Sequence, residues 1–305
     1  MNKNINFLDP YIKIKSEKTN KNFQLIPDTD IPLPSEIEIS ESGTCNRKCS
    51  FCPRSAPDFV DVKDFISTEL VQKLVSELKT YDYKNIIRFS GFVEPLLDKN
   101  IYNLLKIIKK DLPEVKIEMV TNGDVLNKNR LIKLYESGLD VLLISVYDGI
   151  EDVRKFEKLQ NECKIPDEQY VIRHRYLPPE DDFGITISNR AGMMENAEHK
   201  IQSTKEPLKE PCYYPSYTFF LDYNGDVLMC PHDWGKKRIL GNLKIQTFKE
   251  IWTSKFANIG RKLLNKGNRN FTPCNLCDVK GTLIGKKHAD TFTSLNEKLY
   301  FNSWR

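Results

Sequence analysis

The amino-acid sequence predicts an α/β protein whose parallel sheet is either an open, partial barrel or doubly wound. The first observation is that strand-like and helix-like segments alternate between residues 36 and 146. The second is that residues 140–146 form an almost continuous apolar run, which is typical of a parallel strand buried on both faces. The third is the number of strand–helix units, about six, which is too few to close an ordinary eight-stranded barrel.

Each element has its own sequence signature. Predicted strands are short runs that are apolar or alternate apolar with polar residues, at residues 36–40, 85–89, 115–120, 140–146, 170–176 and 185–188. Predicted helices carry apolar residues three or four positions apart, at residues 68–79, 101–108 and 128–137. Ser67 is the expected N-cap of the first helix, and Gly138 is the expected C-cap of the third. The polar stretch before residue 34 predicts a loosely held arm with one short strand at residues 11–14.

A second, smaller unit is predicted in the last third of the chain. Residues 206–211 are polar and contain two prolines, which is typical of a boundary. Beyond them, apolar runs flank Asn224-Gly225 and predict a β-hairpin, and Trp252 is expected in a small core. We therefore divide the chain into an arm (1–33), a core (34–205) and a C-terminal domain (206–305).

Composition excludes several classes of protein. Of the 305 residues, 40% are hydrophobic and 29% are charged, which rules out a collagen-like, low-complexity or wholly disordered chain. The net charge of +4 is spread along the chain, so no nucleic-acid partner is expected. No apolar run approaches the ~20 residues of a membrane helix, and the first residues do not resemble a signal peptide. These features predict a cytoplasmic protein with no membrane partner.

Three cysteines lie close together in the loop after the first predicted strand, at Cys45, Cys49 and Cys52. Because disulfides are rare in a reducing cytosol, ligation of a metal or cluster is the leading explanation. Thiolates suit both zinc and iron–sulfur clusters, and a three-thiolate site leaves a position open for a cofactor or substrate. A zinc site completed by a distant residue is the alternative.

Four more cysteines lie in the C-terminal domain. Cys212 and Cys230 bracket the predicted hairpin, and Cys274 and Cys277 form a close pair further on. Four thiolates can fill a tetrahedral site with no open position, and from chemistry alone the bound group is either zinc or an iron–sulfur cluster. The remaining cysteine, Cys163, stands alone in a polar segment.

The first cysteine loop resembles that of the radical S-adenosylmethionine (SAM) superfamily. The resemblance lies in the CxxxCxxC spacing, in aromatic Phe51 before the third cysteine, and in the place of the loop after a first strand. It implies a partial (β/α)6 TIM-like barrel and a [4Fe-4S] cluster held by the three cysteines. The fourth iron of that cluster would chelate SAM, whose reductive cleavage gives a 5′-deoxyadenosyl radical that abstracts hydrogen from a substrate.

The resemblance extends to a set of SAM contacts. Residues 90–95 read Ser-Gly-Phe-Val-Glu-Pro where the family has a GGEP-like segment, with Val93 at a usual glycine position. Thr121-Asn122-Gly123 ends the third predicted strand and Ser145 the fourth, as in many family members. The resemblance thus implies a SAM site formed by Phe51, Gly91, Phe92, Glu94, Asn122 and Ser145.

The C-terminal cysteines resemble those of the SPASM/twitch family of auxiliary-cluster domains. The stretch from Gly241 to Trp252, between the cysteine pairs, is also similar to that family. A full SPASM domain has further cysteines after its CxxC pair, whereas none follows Cys277. The resemblance therefore implies the shorter twitch form, a small α+β domain with one auxiliary [4Fe-4S] cluster. Its ligands would be Cys212, Cys230, Cys274 and Cys277.

These expectations combine into a radical SAM oxidoreductase. The resemblance to twitch enzymes implies a two-electron oxidation in which the auxiliary cluster accepts an electron, such as that of a secondary alcohol to a ketone on a sugar-like small molecule. A flavodoxin- or ferredoxin-type protein would supply the electron for SAM cleavage. Arg190, which follows the last predicted core strand, is the candidate catalytic residue.

Three other functions stay open at this point. A radical SAM epimerase would return a hydrogen atom to the substrate radical, with Cys163 as the donor. A peptide-modifying maturase would use the same cofactors on a different substrate. A non-enzymatic zinc-binding module would need no SAM.

Overall fold

The structure of the protein, a computed structural model, describes residues 11–21, 23–56, 59–177, 188–195, 201–202 and 204–302. The α-helices are α1 (Tyr11–Lys21), α2 (Thr68–Lys79), α3 (Ile101–Asp111), α4 (Lys128–Glu136), α5 (Ile150–Cys163), α6 (Tyr214–Tyr217), α7 (Phe248–Trp252), α8 (Lys255–Asn265) and α9 (Lys286–Asn302). The strands are β1 (Glu36–Ser40), β2 (Ser42–Gly43), β3 (Val62–Phe65), β4 (Ile86–Phe89), β5 (Lys116–Thr121), β6 (Val141–Val146), β7 (Tyr170–His174), β8 (Thr218–Asp222), β9 (Asp226–Leu228) and β10 (Ile239–Asn242). Within these described residues, no helix combines the length and the apolar character that a membrane span requires.

Most strands belong to one large sheet with the order β10-β9-β8-β1-β4-β5-β6-β7. From β8 to β7 every pair of neighbours is parallel, while β9 and β10 add antiparallel strands at the β8 edge. Strands β2 and β3 form a separate antiparallel pair. The predicted fold class, a partial barrel followed by a small α+β domain, is therefore confirmed, and the order of the described strands is open.

One face of the parallel sheet packs against helices. Strand residues such as Ile37 and Phe89 share an apolar cluster with Leu74 of α2 and Leu104 of α3. Helix α2 begins where predicted, because the Ser67 side chain accepts a hydrogen bond from the backbone N–H of Leu70. Alternate strand residues point to the opposite side. That side, called the inner face below, carries Glu36, Glu38, Arg88, Ser90, Glu118, Val141, Leu143 and Ser145.

The two predicted domains share the large sheet. Strand β1 pairs with β4 on one side and with β8 on the other, so that Glu36 lies opposite both Ile86 and Thr218. The sixth parallel strand of the described sheet thus comes from the C-terminal region. The strand predicted at residues 185–188 falls, except for Ser188, outside the described residues. Trp252 is buried as predicted, and its Nε1 donates to the carbonyl of Pro32 at 2.8 Å.

The N-terminal arm differs from its prediction. Residues 11–14, expected to form a strand, begin helix α1. Tyr11, Lys15 and Lys18 lie on one side of this helix, and each contacts a buried carboxylate of the inner face. Residues three or four positions apart lie on the same side of a helix. In a strand, Tyr11 and Lys15 would point to one face and Lys18 to the other. Partners distant in the sequence therefore determine this element.

Helix α5 was not predicted from the sequence. It spans Ile150–Cys163, and its buried residues are Val153 and Phe156. Because so few of its residues face the core, the apolar residues do not recur often enough to distinguish a helix from a polar loop.

Arg88 lies at the centre of the inner face and balances two carboxylates. Its guanidinium contacts Glu36, and its Nη2 lies 2.6 Å from Glu118 Oε2. Arg88 is 6% exposed, and both glutamates are fully buried. Charges at this depth require partners, because removing one partner leaves the other charge unpaired in a poorly solvated environment.

We predict that Arg88→Met lowers the free energy of unfolding by about 3–5 kcal/mol, since it leaves Glu36 and Glu118 without their shared cation. The measurement is anaerobic urea denaturation followed by circular dichroism. Arg154→Met is the matched control, because Arg154 pairs with Glu151 at the exposed surface. Equal midpoints for the two variants would contradict the role assigned to Arg88.

Candidate active site

The loop with the first three cysteines follows β1 at its carboxyl end. The backbone N–H of Cys52 donates to the carbonyl of Cys49 at 2.9 Å, which closes a turn before the short 3-10 helix Pro53–Ser55. The Sγ of Cys45 accepts a hydrogen bond from the backbone N–H of Arg47 at 3.4 Å. All three thiols are unpaired and partly exposed. The predicted ligands thus lie at the edge of the sheet where the parallel strands end, the usual location for ligands in such folds.

Arg47 fastens this loop to two neighbouring strand ends. Its Nε donates to Asp124 Oδ2 at 2.7 Å, and its Nη1 donates to Asp148 Oδ1 at 2.9 Å. Asn122, one of the predicted SAM contacts, lies beside the same loop. Its Nδ2 donates to Asn46 Oδ1 at 2.8 Å. The loop is therefore held by the segments that follow β5 and β6.

Glu94 is buried and braces three segments. Its carboxylate accepts hydrogen bonds from the Thr121 hydroxyl at 2.6 Å, the Asn122 N–H at 2.7 Å and the Leu96 N–H at 3.1 Å. Its own N–H donates to the carbonyl of Thr44 at 3.1 Å. Burial raises the pKa of Glu94 to about 7, although these hydrogen bonds oppose the rise. In this arrangement, the carboxylate of Glu94 holds the segment after β4 against the end of β5, and the Glu94 N–H holds it against Thr44 at the start of the cysteine loop.

Gly91 has a backbone conformation that side-chain-bearing residues rarely adopt. Its φ is +101°, and a Cβ at this position would lie 2.9 Å from the ring of Phe220 on β8. The ring of Phe92 packs between Phe220 and Trp234, with centroid distances of 4.9 and 4.6 Å. Val93 does not have a positive φ, so a valine fits where the family usually has glycine.

The other two predicted SAM contacts, Ser145 and Phe51, lie near the end of β6 and in the cysteine loop. Phe51 packs on Tyr147 with a centroid distance of 5.5 Å. Ser145 is buried on the inner face, and its Oγ accepts a hydrogen bond from Arg173 Nη2 at 2.7 Å. The structure therefore places all six predicted SAM contacts around the carboxyl ends of β1, β4, β5 and β6.

The surroundings of Arg54 show whether the cysteine loop suits a negatively charged bound group. The residue is 3% exposed, and its Nε is buried with no hydrogen-bond partner. Burial raises the pKa of the Cys45 and Cys52 thiols, and the charge of Arg54 acts against the rise. Arg54 also forms a salt bridge with Asp61, but its unused Nε–H and its charge next to the Cys45 and Cys52 thiols fit a thiolate-ligated cluster, whose total charge is negative.

The four C-terminal cysteines line one cavity. It contains ≈ 460 Å³ of space free of atoms, including its mouth, and its walls include Cys212, Cys230, Cys274 and Cys277. Four thiols around one cavity are the donor set of a fully ligated four-iron cluster.

Arg269 braces both cysteine segments of this cavity. It is 1% exposed, and it donates to the carbonyls of Pro211 at 3.1 Å and Val279 at 2.8 Å. These carbonyls lie next to Cys212 and two residues beyond Cys277. The cavity is therefore bounded by chain segments far apart in sequence, which one buried guanidinium holds together.

Arg190, the predicted catalytic residue, lies between the two cysteine sites. Its φ is +48°, and its Nε is buried without a hydrogen-bond partner. Burial raises the pKa of Cys52 and lowers that of His232 to about 3, and the charge of Arg190 lowers the pKa of both groups. One guanidinium thus acts on a thiol of the first site and on the segment after Cys230 in the second.

Cys163 lies away from these sites. It is the last residue of α5, which follows β6 and leads to the start of β7. A helix after a parallel strand returns toward the amino ends of the strands, so Cys163 lies at the opposite edge from the cysteine loop. From that position it does not reach either cysteine site. The epimerase alternative therefore loses its predicted hydrogen donor.

The inner face holds candidate residues that the sequence analysis missed. The Oγ of Ser90 donates to Glu38 Oε1 at 2.6 Å. Outside the sheet, Tyr214 was also missed; its ring centroid lies 5.1 Å from that of His232, two residues after Cys230. The alternating sequence Glu-Ile-Glu at residues 36–38 could have identified Glu38 as an inward-facing residue. When helices cover one face of a strand, its alternating charged positions line the interior rather than the solvent.

The fold and the two cysteine sites define a class of protein. A sequence profile of the Radical SAM superfamily matches residues 39–163. A profile of the SPASM iron-sulfur cluster-binding domain matches residues 212–278. The chain therefore carries a radical SAM domain followed by a SPASM-type domain, which confirms the predicted cofactors, SAM and two [4Fe-4S] clusters. A non-enzymatic zinc-binding module is thereby set aside.

Individual proteins and solved structures are also similar to this chain. The S-adenosyl-L-methionine-dependent 2-deoxy-scyllo-inosamine dehydrogenase of Niallia circulans is 29% identical over 248 residues, which cover 81% of this chain and 93% of that protein. The crystal structure of BtrN in complex with AdoMet and 2-DOIA is similar with a TM-score of 0.69 and 26% identity, over 82% of this chain and 95% of that one. Native anSMEcpe with bound AdoMet shares the fold, with a TM-score of 0.51 and 14% identity over 88% of this chain and 98% of that one.

We predict that Gly91→Ala weakens SAM binding by about tenfold or more, because a strained φ and a clash with Phe220 together cost on the order of 1–3 kcal/mol. The measurement is the Kd of SAM for the anaerobically reconstituted enzyme. Val93→Gly is the matched control on the same loop, since Val93 needs no positive φ, and its Kd should stay near that of the wild type. Tight binding by Gly91→Ala would contradict this account of the loop.

Iron content tests the two sets of predicted ligands. The wild-type protein should bind about eight iron atoms, and the Cys45/Cys49/Cys52→Ala triple variant about four, since each [4Fe-4S] cluster holds four. Cys163→Ala should bind as much iron as the wild type. Zinc in the triple variant, or a loss of iron from Cys163→Ala, would show that a ligand set is assigned wrongly.

Proposed function

We propose that the protein is a radical SAM dehydrogenase that oxidises a secondary alcohol of a cyclitol- or sugar-like small molecule to a ketone. The observation that carries the proposal is the pairing of an open three-cysteine loop with a four-cysteine cavity on one sheet, with Arg190 between them. An open site suits cofactor activation, and a fully ligated cluster suits electron transfer. The similarity to 2-deoxy-scyllo-inosamine dehydrogenase over 81% of the chain supports an alcohol as the substrate.

Each cysteine set has one task in this proposal. Cys45, Cys49 and Cys52 hold the cluster that binds SAM, and the second set, Cys212, Cys230, Cys274 and Cys277, holds the auxiliary cluster. When bound, SAM and the clusters supply a hydrogen-abstracting radical and an acceptor for one electron. We keep the division into a core (34–205) and a cluster domain (206–305), since each carries one cysteine set, although β8 of the second pairs with β1 of the first.

The inner face supplies a group for the proton that an alcohol loses on oxidation. Glu38 lies there beside Ser90. Burial raises the pKa of Glu38 and Glu36 adds to the rise, while Lys15 and Arg88 lower it. A carboxylate with a raised pKa is a more effective proton acceptor near neutral pH. We therefore assign proton acceptance to Glu38.

Arg190 has a different task. A guanidinium does not give up its proton near neutral pH, so Arg190 is not the base. Its buried Nε has an unused donor. We assign it the orientation of the substrate by hydrogen bonding to a hydroxyl oxygen. Preorganised donors of this kind fix the reacting C–H bond relative to the source of the radical.

The electron for SAM cleavage comes, in this proposal, from a flavodoxin- or ferredoxin-type protein. The eight cysteines of the chain are all unpaired, which suits a reducing cytoplasm. The proposed substrate is a small molecule, and the proposal includes no nucleic-acid or membrane partner.

Anaerobic reaction with SAM, dithionite and 2-deoxy-scyllo-inosamine tests the proposal. We expect a ketone, detected by mass spectrometry, with one 5′-deoxyadenosine formed per ketone. Glu38→Gln should lower kcat by about 10²–10⁴-fold, the usual contribution of a general base, while SAM binding and iron content are kept. Glu69→Gln, at an exposed position of α2, is the control.

Other products would contradict the proposal in distinct ways. An epimerised cyclitol with no net oxidation would indicate the epimerase alternative. An unchanged cyclitol together with modification of a peptide would indicate the maturase. Equal kcat values for Glu38→Gln and Glu69→Gln would leave the dehydrogenase in place but remove Glu38 as the base.

A further inference from the structure

Helix α1 lies outside both segments that match known families. The matched segments begin at residues 39 and 212, whereas α1 spans Tyr11–Lys21. It covers the inner face near the amino ends of the strands. Tyr11 packs there against Val141 and Leu143 of β6. The opposite, carboxyl ends of the strands carry the cysteine loop, so α1 and the predicted SAM site bound the inner face from two sides.

The contacts of α1 are ionic and buried. The Tyr11 hydroxyl donates to Glu118, which also lies 3.1 Å from Lys18 Nζ. Lys15 Nζ lies 2.9 Å from Glu36 Oε2. Lys15 and Lys18 keep 21% and 27% of their side-chain surface exposed, while the two glutamates are fully buried. The helix thus supplies cations to carboxylates that water does not reach.

Glu36 and Glu118 each gain a second cation from α1. Within the sheet they share a single guanidinium, that of Arg88. Lys15 of the helix contacts Glu36, and Lys18 contacts Glu118. Because buried carboxylates without partners are strongly unfavourable, these contacts indicate that α1 is docked in the working enzyme.

Helix α1 also lies close to the proposed base. Lys15 Nζ is 2.9 Å from Glu36 Oε2, and Glu38 follows two residues further along the same strand, on the same face. The positive charge of Lys15 lowers the pKa of Glu38 against the effect of burial. Lys15 therefore connects the amino end of the inner face with the proposed base.

We propose that α1 closes the active-site cavity at the amino ends of the strands; this closure is called the floor below. Lys15 and Lys18 are positioning residues, which hold the floor closed and keep Glu38, the proposed base, correctly placed relative to the SAM-binding site. The proposal rests on the proposed function. A closed floor excludes water and buffer from a chamber in which a reactive radical forms, so that the radical attacks the substrate alone. The helix is thus part of the active site although it precedes the family-matched core.

The test compares two double variants of the full-length, cluster-loaded enzyme. Lys15→Met/Lys18→Met removes the cations that face the carboxylates. Lys13→Met/Lys21→Met is the matched control, because both of those lysines are exposed on the same helix. Three quantities are measured for each: hydrogen–deuterium exchange of residues 11–21, 5′-deoxyadenosine formed per ketone, and dithionite-driven SAM cleavage without substrate.

We expect residues 11–21 of the wild type to be protected from exchange. In Lys15→Met/Lys18→Met, protection should fall, and both the 5′-deoxyadenosine-to-ketone ratio and substrate-free cleavage should rise several-fold, with iron content and SAM Kd unchanged. The control should match the wild type in all three quantities.

Several outcomes would overturn the proposal. An unprotected α1 in the wild type would show that the helix does not dock. The Lys15→Met/Lys18→Met variant is decisive as well. If its 5′-deoxyadenosine-to-ketone ratio and its substrate-free SAM cleavage are unchanged, α1 has only a structural role. If the wild type forms no ketone, the proposed function fails, and substrate-free cleavage still decides whether α1 closes the chamber.

Discussion

The double pairing of strand β1 is the interaction on which the rest of the structure depends. It joins β4 of the core on one side and β8 of the C-terminal region on the other, all in parallel. The cysteine loop follows the carboxyl end of β1, and the hairpin that leads to Cys230 follows β8. Two candidate cluster sites on one sheet keep a fixed relation to each other. The proposed reaction requires this, because a substrate between them would lose a hydrogen atom at one site and an electron to the other.

The inner face of that sheet is an interior and not a solvent-exposed surface. A closed barrel would fill such a space with side chains from its own strands. Here the sheet is open, and charged residues of the strands meet partners from elsewhere in the chain. Arg88 pairs with carboxylates on β1 and β5, and α1 contributes cations from residues before the family-matched core. Charged groups are thereby kept paired in an interior that is almost closed to water.

Local sequence patterns predicted the elements whose stability depends on local contacts. The apolar spacing of α2 and the cap at Ser67 are both as expected. Elements that depend on distant partners were predicted poorly. Residues 11–14 resemble a strand, but contacts with Glu118 and Glu36 favour a helix. Helix α5 has too few buried residues for its period to be seen.

Some residues of the candidate site were likewise predictable from the sequence, and others were not. Cysteine spacing predicted both candidate cluster sites, because the chemistry of thiolate ligands restricts which sequences are possible. Glu38 was missed, since the direction in which a strand residue points becomes known only when the covering helices are placed. Cys163 was considered as a hydrogen donor because sequence alone did not show at which edge of the sheet α5 ends.

The most direct test of the central claim is a single-turnover experiment that counts electrons on the auxiliary cluster. The reduced enzyme is mixed with one equivalent each of SAM and 2-deoxy-scyllo-inosamine, frozen, and examined by EPR and Mössbauer spectroscopy. The account predicts one ketone and one electron on the auxiliary cluster for each 5′-deoxyadenosine formed. A ketone formed while the auxiliary cluster stays oxidised, or 5′-deoxyadenosine formed without any ketone, would contradict it.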